Sequence, residues 1–210
     1  MARERGKNEL LAHAVAGDRV ALNDLLLLQF DGLQEFIERR LPDGLDHVLS
    51  ADDVLQETLV RAIRGIATFE PRAGATFDGW LETIATRAIQ SLAVASGAKK
   101  RGGQFRHRTR NMETPASSLA DLVDLLTDGT STASAKAVKK EAIQAVHVGV
   151  ACLPDEQQQA VRLRYLQGQS LAETANALGR SPAAVRGLLY RAKLRLRDAL
   201  GHSSRWFSRK

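Results

Sequence analysis

Residues 170–197, SLAETANALGRSPAAVRGLLYRAKLRLR, place Ser170 and Glu173 three apart, then Gly179, then Ser181 and Pro182, ahead of a run of cations. Ser170 and Glu173 have the spacing of a capping box, which starts a helix at Leu171. Gly179 supplies a left-handed residue after that helix, and Ser181 caps a second one with Pro182 at its first position. Helix, tight turn, helix is the layout of a helix-turn-helix. In the second helix Val185, Leu189 and Ala192 recur about one turn apart and face inward. Arg186, Gly187, Tyr190, Arg191, Lys193 and Arg197 are left to face out. The chemistry this offers is hydrogen bonding in a major groove, where an arginine bridges guanine O6 and N7 for about 1–3 kcal/mol of discrimination.

A second constellation lies at Asp53, Gln56, Glu57, Val60 and Arg64, which a helix over 52–66 gathers on the face opposite its apolar stripe. Two carboxylates and an amide there can pair with arginines of another protein. Other chemistries find no support. His13, His47, His107, His147 and His202 are scattered without the i, i+4 spacing of metal ligands, so no metal and no cofactor is expected. Cys152 is the single cysteine, expected as a buried apolar filler. RGGQF at 101–105 is a basic turn without the pattern of a phosphate-binding loop, and nothing in the chain reads as an enzyme's catalytic group.

The elements that carry these residues read as helices throughout. Aromatics are 5% of the 210 residues, Ala and Leu are abundant, and only five prolines occur. Glu9 to Ala16 reads as a short helix ending at Gly17, and Asp18 caps another that runs to about Leu41 before Pro42. Val54, Leu55, Thr58, Leu59, Ala62, Ile63 and Ile66 form one stripe on the 52–66 helix. Thr76 caps a further helix whose stripe is Phe77, Trp80, Leu81, Ile84, Ala85, Ala88, Ile89 and Leu92. The fold expected is all-α, with two small helical domains: a bundle over 1–98, a flexible linker over 99–134, a helix-turn-helix domain over 135–200, and a loose tail over 201–210. Within the linker, SSLADLVDLL can form one fragile amphipathic turn or two.

Charge follows the same division. Residues 1–98 carry a net −5, residues 99–110 a net +6 without a single acid, residues 111–150 a net −2 and residues 151–210 a net +7. Basic segments attract phosphate backbones, whereas the acidic front half calls for a different partner. No apolar run approaches 18 residues, so membrane insertion is not expected and a cytoplasmic, nucleoid-associated protein is.

The segment LPDEQQQAVRLRYLQGQSLAETANALGRSPAAVRGLLYRAKLRLRDAL resembles region four of bacterial RNA polymerase sigma factors, in particular the extracytoplasmic-function (ECF) group of the sigma-70 family. DDVLQETLVRAIRGIATFEPRAGATFDGWLETIATRAIQSL is similar to region two, with D-x-x-Q-E at Asp53, Gln56 and Glu57 and F-x-x-W-L at Phe77, Trp80 and Leu81. Leu59 replaces the family's usual aromatic, and Leu188 stands where many relatives carry a basic residue.

The resemblance implies a promoter-specificity subunit that binds core RNA polymerase, recognises minus-thirty-five and minus-ten elements and assists DNA melting. Asp53, Gln56, Glu57, Val60 and Arg64 would then dock on the clamp helices of the beta-prime subunit, with the beta flap as a further contact. The loop from Phe69 to Thr76, with Arg72, Gly74 and Thr76, would hold a base flipped from the minus-ten element. Arg87, Gln90, Lys99, Lys100 and Arg101 would meet DNA nearby. Ser181, Arg186, Gly187, Tyr190, Arg191, Lys193 and Arg195 would serve the minus-thirty-five element, with Arg186 and Arg191 as the base readers. The acidic segment 117–128 corresponds to the family's tether, and the resemblance leaves room for an anti-sigma factor as partner. The alternative is a free-standing helix-turn-helix regulator that binds duplex DNA as a dimer.

Overall fold

The computed structural model describes residues 2–41, 49–70, 76–101, 119–126 and 135–207, and every regular element among them is helical. The chain divides into two units, Met1–Thr109 and Arg110–Lys210.

The first unit holds α1 (Ala2–Val15), α2 (Arg19–Arg40), α3 (Ala51–Gly65, continued by a 3-10 turn over Ile66–Thr68) and α4 (Phe77–Arg101). α1 starts earlier than its apolar pattern suggests. Gly17, at φ 98°, takes the left-handed conformation that turns the chain into α2. Asp18 then caps α2, its carboxylate accepting from the amides of Val20 and Ala21 at 2.8 and 3.2 Å. Leu22, Leu25, Leu26, Phe30, Leu33, Phe36 and Ile37 form the buried stripe of α2, and each large side chain so buried contributes about 1.5–3 kcal/mol. α4 begins where expected, with Thr76 Oγ1 accepting from the Gly79 amide at 3.1 Å. Its buried stripe of Phe77, Leu81, Ile84, Ala85, Ala88 and Ile89 follows the sequence pattern, with Trp80 and Leu92 of that pattern half-buried. Phe69, Phe77 and Trp80 pack ring against ring, with centroids 5.3–6.0 Å apart, and so pin both ends of the 70–76 segment. Across the unit, Lys7 Nζ of α1 meets both carboxylate oxygens of Asp78 in α4 at 2.7 and 2.8 Å. Gln29 of α2 completes this network, its amide donating to Asp78 at 2.8 Å and accepting from Lys7 at 2.9 Å.

The second unit holds α5 (Leu119–Leu126), α6 (Ala135–Ala151), α7 (Asp155–Val161, widening into a π turn over Arg162–Leu166), α8 (Leu171–Leu178) and α9 (Pro182–Phe207). One apolar core joins all of them, drawing on Val146 and Val150 of α6, Val161 of α7, Tyr165 of the π turn, Ala175 of α8, and Val185, Leu189 and Leu196 of α9. The last turn of α6 is closed from α7, where the buried Gln158 amide donates to the carbonyls of Val150 and Ala151 at 3.2 and 3.3 Å. Cys152, expected as a buried filler, is half-buried just past α6.

Three differences from the sequence reading have local causes. α5 occupies part of the segment read as flexible linker, because Leu122, Val123 and Leu126 find a place in the core of the second unit. α4 continues to Arg101, three residues into that linker. α9 runs to Phe207 through the stretch read as a loose tail: a lone Gly201 costs about 1 kcal/mol of helix propensity but does not stop a helix, and no proline follows.

Candidate nucleic-acid interface

The turn between α8 and α9 is built from local hydrogen bonds. Ser170 Oγ accepts from the Glu173 amide at 3.1 Å while the Glu173 carboxylate accepts from the Ser170 amide at 2.9 Å, the reciprocal capping box. Gly179, at φ 61°, ends α8 in the left-handed conformation, and Ser181 Oγ caps α9 by accepting from the Ala184 amide at 3.2 Å. Arg180, inside the turn, pairs with Glu156 of α7. These contacts fix the exit angle of α9 before any ligand arrives.

α9 buries Val185, Leu188, Leu189, Ala192 and Leu196 and leaves the opposite side open. Arg186, Tyr190, Arg191 and Arg195 are exposed there, Tyr190 to 64%. Gly187 is half-buried within the same surface. Lys193 is also half-buried, its ammonium 5.9 Å from the centre of the Tyr165 ring. Leu188 belongs to the core, so that position carries no outward group. Leu194, 44% exposed one turn beyond Tyr190, extends the open side with an apolar group that the sequence reading passed over. The surface therefore presents Arg186, Arg191, Arg195 and Arg197 with an aromatic ring on a capped rod, which suits hydrogen bonding to base edges and phosphates.

On α4, Arg87 and Gln90 are exposed as expected, in company with Thr83, Ser91 and Val94. Thr76 is exposed and caps that helix. Arg72 and Gly74 lie outside the described residues. So do the side chains of Lys99, Lys100 and Arg101, whose backbone forms the end of α4.

The face expected on α3 requires correction. Asp53 and Val60 are each 6% exposed and Gln56 is fully buried, so these three do not form an outward ridge. α3 is packed by α2 and α4 together, and its buried sector spreads well beyond a single stripe. Asp53 instead helps to start the helix, accepting a hydrogen bond from Ser50 Oγ at 2.9 Å while its own amide donates back to that oxygen at 3.1 Å. The strip that does reach the surface is Glu57, Arg61 and Arg64, with Arg61 Nε 2.9 Å from Glu57 Oε1. Arg61 was missed, although the i, i+4 spacing from Glu57 is the signal that could have found it.

The comparisons with known proteins fall on these same two regions. Residues 33–96 match the family described as Sigma-70 region 2, and residues 143–196 match Sigma-70, region 4. The ECF RNA polymerase sigma factor SigM of Mycobacterium tuberculosis is 30% identical over 95% of this chain and 87% of its own length. The RNA polymerase sigma factor CarQ of Myxococcus xanthus is 30% identical over 88% of this chain and 92% of its own. The ECF RNA polymerase sigma factor BldN of Streptomyces coelicolor is 29% identical over 88% of this chain, which spans 62% of BldN's length. Among solved structures, a chain of the RsbN–BldN complex is 26% identical and covers 89% of this chain and 96% of itself, at a TM-score of 0.34.

Proposed function

The chain belongs to the ECF RNA polymerase sigma factors, and from that premise we propose that it is a promoter-specificity subunit, joining core RNA polymerase to promoter DNA. The observation that carries this reading is the exposed surface of Arg186, Tyr190, Arg191 and Arg195 on a helix fixed by the capped α8–α9 turn, in a chain that also has a region-two bundle.

In this reading α9 enters the major groove of the minus-thirty-five element. Arg186 and Arg191 meet base edges, while Ser181, Gly187, Tyr190, Lys193 and Arg195 line the approach to the backbone. Arg87 and Gln90 on α4, with Thr76 at its cap, face the minus-ten element, joined by Arg72, Gly74, Lys99, Lys100 and Arg101. The aromatic trio of Phe69, Phe77 and Trp80 holds the ends of the intervening segment together and so supports the capture of a splayed base. Glu57, with Arg61 and Arg64 beside it, meets the polymerase, and Asp53, Gln56 and Val60 shape that strip from beneath. The protein contributes binding and strand separation, and the chemistry of RNA synthesis belongs to the polymerase. It acts where polymerase and promoter DNA are, in the cytoplasm, and no helix among the described residues is long and apolar enough to cross a membrane.

Run-off transcription with purified core polymerase over a library of genomic fragments tests the proposal. New start sites that depend on the added chain support it. Failure to co-migrate with core polymerase, together with an unchanged set of start sites, overturns it.

A further inference from the structure

The placement of α5 reaches beyond the reading above while resting on its assignment of α9 as the duplex contact. α5 is an acidic helix of eight residues seated in a basic unit. Leu122, Val123 and Leu126 are buried against α6, the π turn and α9, while Asp121, Asp124 and Leu125 are exposed. Polar contacts to α6 and α9 fix its outer edge. Lys139 Nζ of α6 lies 2.9 Å from Asp124 Oδ1, and Arg197 Nη2 of α9 donates to the Leu125 carbonyl at 3.0 Å.

Arg197 follows Arg186 by eleven residues. At about 100° per residue this returns it to within roughly 20° of Arg186 around the helix, about 16 Å further along the axis. α5 therefore meets α9 on the flank that carries Arg186. A duplex laid along that flank would bring phosphates to Arg197, but its guanidinium already serves the Leu125 carbonyl and two carboxylates stand on the same short helix. An isolated helix of eight residues is marginal in water, so α5 is folded because it is docked and can be lost as a unit.

We propose that α5 is an intramolecular brake on duplex binding. While docked, it engages Arg197 and sets Asp121 and Asp124 beside the phosphate path, which weakens the affinity of the free chain for duplex DNA of arbitrary sequence. Firm duplex contact requires α5 to give up Arg197.

Fluorescence anisotropy of the full chain with a short labelled duplex of scrambled sequence, titrated at several salt concentrations, tests this. Asp121→Asn/Asp124→Asn should bind about 3–10-fold more tightly, because the like charges beside the phosphate path are removed. Glu9→Gln/Glu38→Gln, which neutralises two carboxylates of the first unit, should change affinity by less than about twofold if position rather than total charge matters. Hydrogen exchange of residues 119–126 in the wild-type chain should accelerate on saturation with duplex, a readout that does not depend on a variant's folding. Arg186→Ala distinguishes the two levels of the argument. If it leaves duplex affinity unchanged, α9 is not the duplex contact and the brake falls with that assignment. If it weakens binding while the Asp121/Asp124 variant tracks its control and α5 exchange stays constant, the brake alone is overturned.

Discussion

Gly149 of α6 lies against Leu196 of α9 so closely that a Cβ added to the glycine would stand 2.9 Å from the leucine's Cδ2. Leu196 is buried, and α9 is the helix that carries the exposed arginines, so this contact sets how near α6 comes to α9.

Replacing Gly149 tests that spacing. Alanine gains about 1 kcal/mol of helix propensity against the clash, whereas Gly149→Val adds a branched side chain for which overpacking costs about 1–3 kcal/mol. Thermal melting of the full chain should show the valine variant below wild type, with alanine between valine and a small gain. A valine variant as stable as wild type would mean the helices separate there at no cost.

Arg186→Ala should flatten base preference at one position of the upstream element by about 1–3 kcal/mol. Transcription from promoters randomised at that element reads the effect. A preference profile identical to wild type would show that Arg186 touches backbone only.

Glu57→Arg should weaken association with core polymerase by about tenfold or more, since like charges brought together at an interface cost several kcal/mol. The fold should survive, because Glu57 lies at the surface and its pair with Arg61 is worth only a few tenths of a kcal/mol. Pull-down with purified core polymerase, alongside a melting curve, separates the two effects. Equal recovery of polymerase by both proteins would remove Glu57 from the interface.

Burial, with the Asp18 charge as a second cause, raises the Asp24 carboxyl above its ordinary range. The folded chain therefore holds that proton more tightly than the unfolded chain does. The favourable contribution of the group is full below the unfolded value and is lost as pH rises through the folded one. Asp24→Asn should be more stable than wild type at neutral pH, with an advantage that shrinks on acidification. Urea midpoints across that range measure it, and an advantage that grows on acidification would contradict the assignment.

Much of the second unit was legible because its signals are local. Ser170 with Glu173, Gly179, and Ser181 with Pro182 each act within four residues of the hydrogen bonds they make, and each does so in the structure. The α4 stripe was legible because Phe77, Leu81, Ile84, Ala85, Ala88 and Ile89 keep to one helical period. Asp53, Gln56 and Val60 were misplaced because the width of a buried sector depends on how many neighbours pack against it, which periodicity does not encode. The amphipathic turns at SSLADLVDLL were legible as α5, but not their docking, because three apolar side chains do not show which groove will receive them. The bond from Arg197 to Leu125 joins residues 72 apart, beyond the reach of any spacing rule.

The network of Lys7, Gln29 and Asp78 ties the first helix to the first turn of the fourth across 71 residues of chain. Removing α1 up to Lys7 would deprive that distant carboxylate of its ammonium. Loss of the first two turns of α1 would thus be felt where α4 begins.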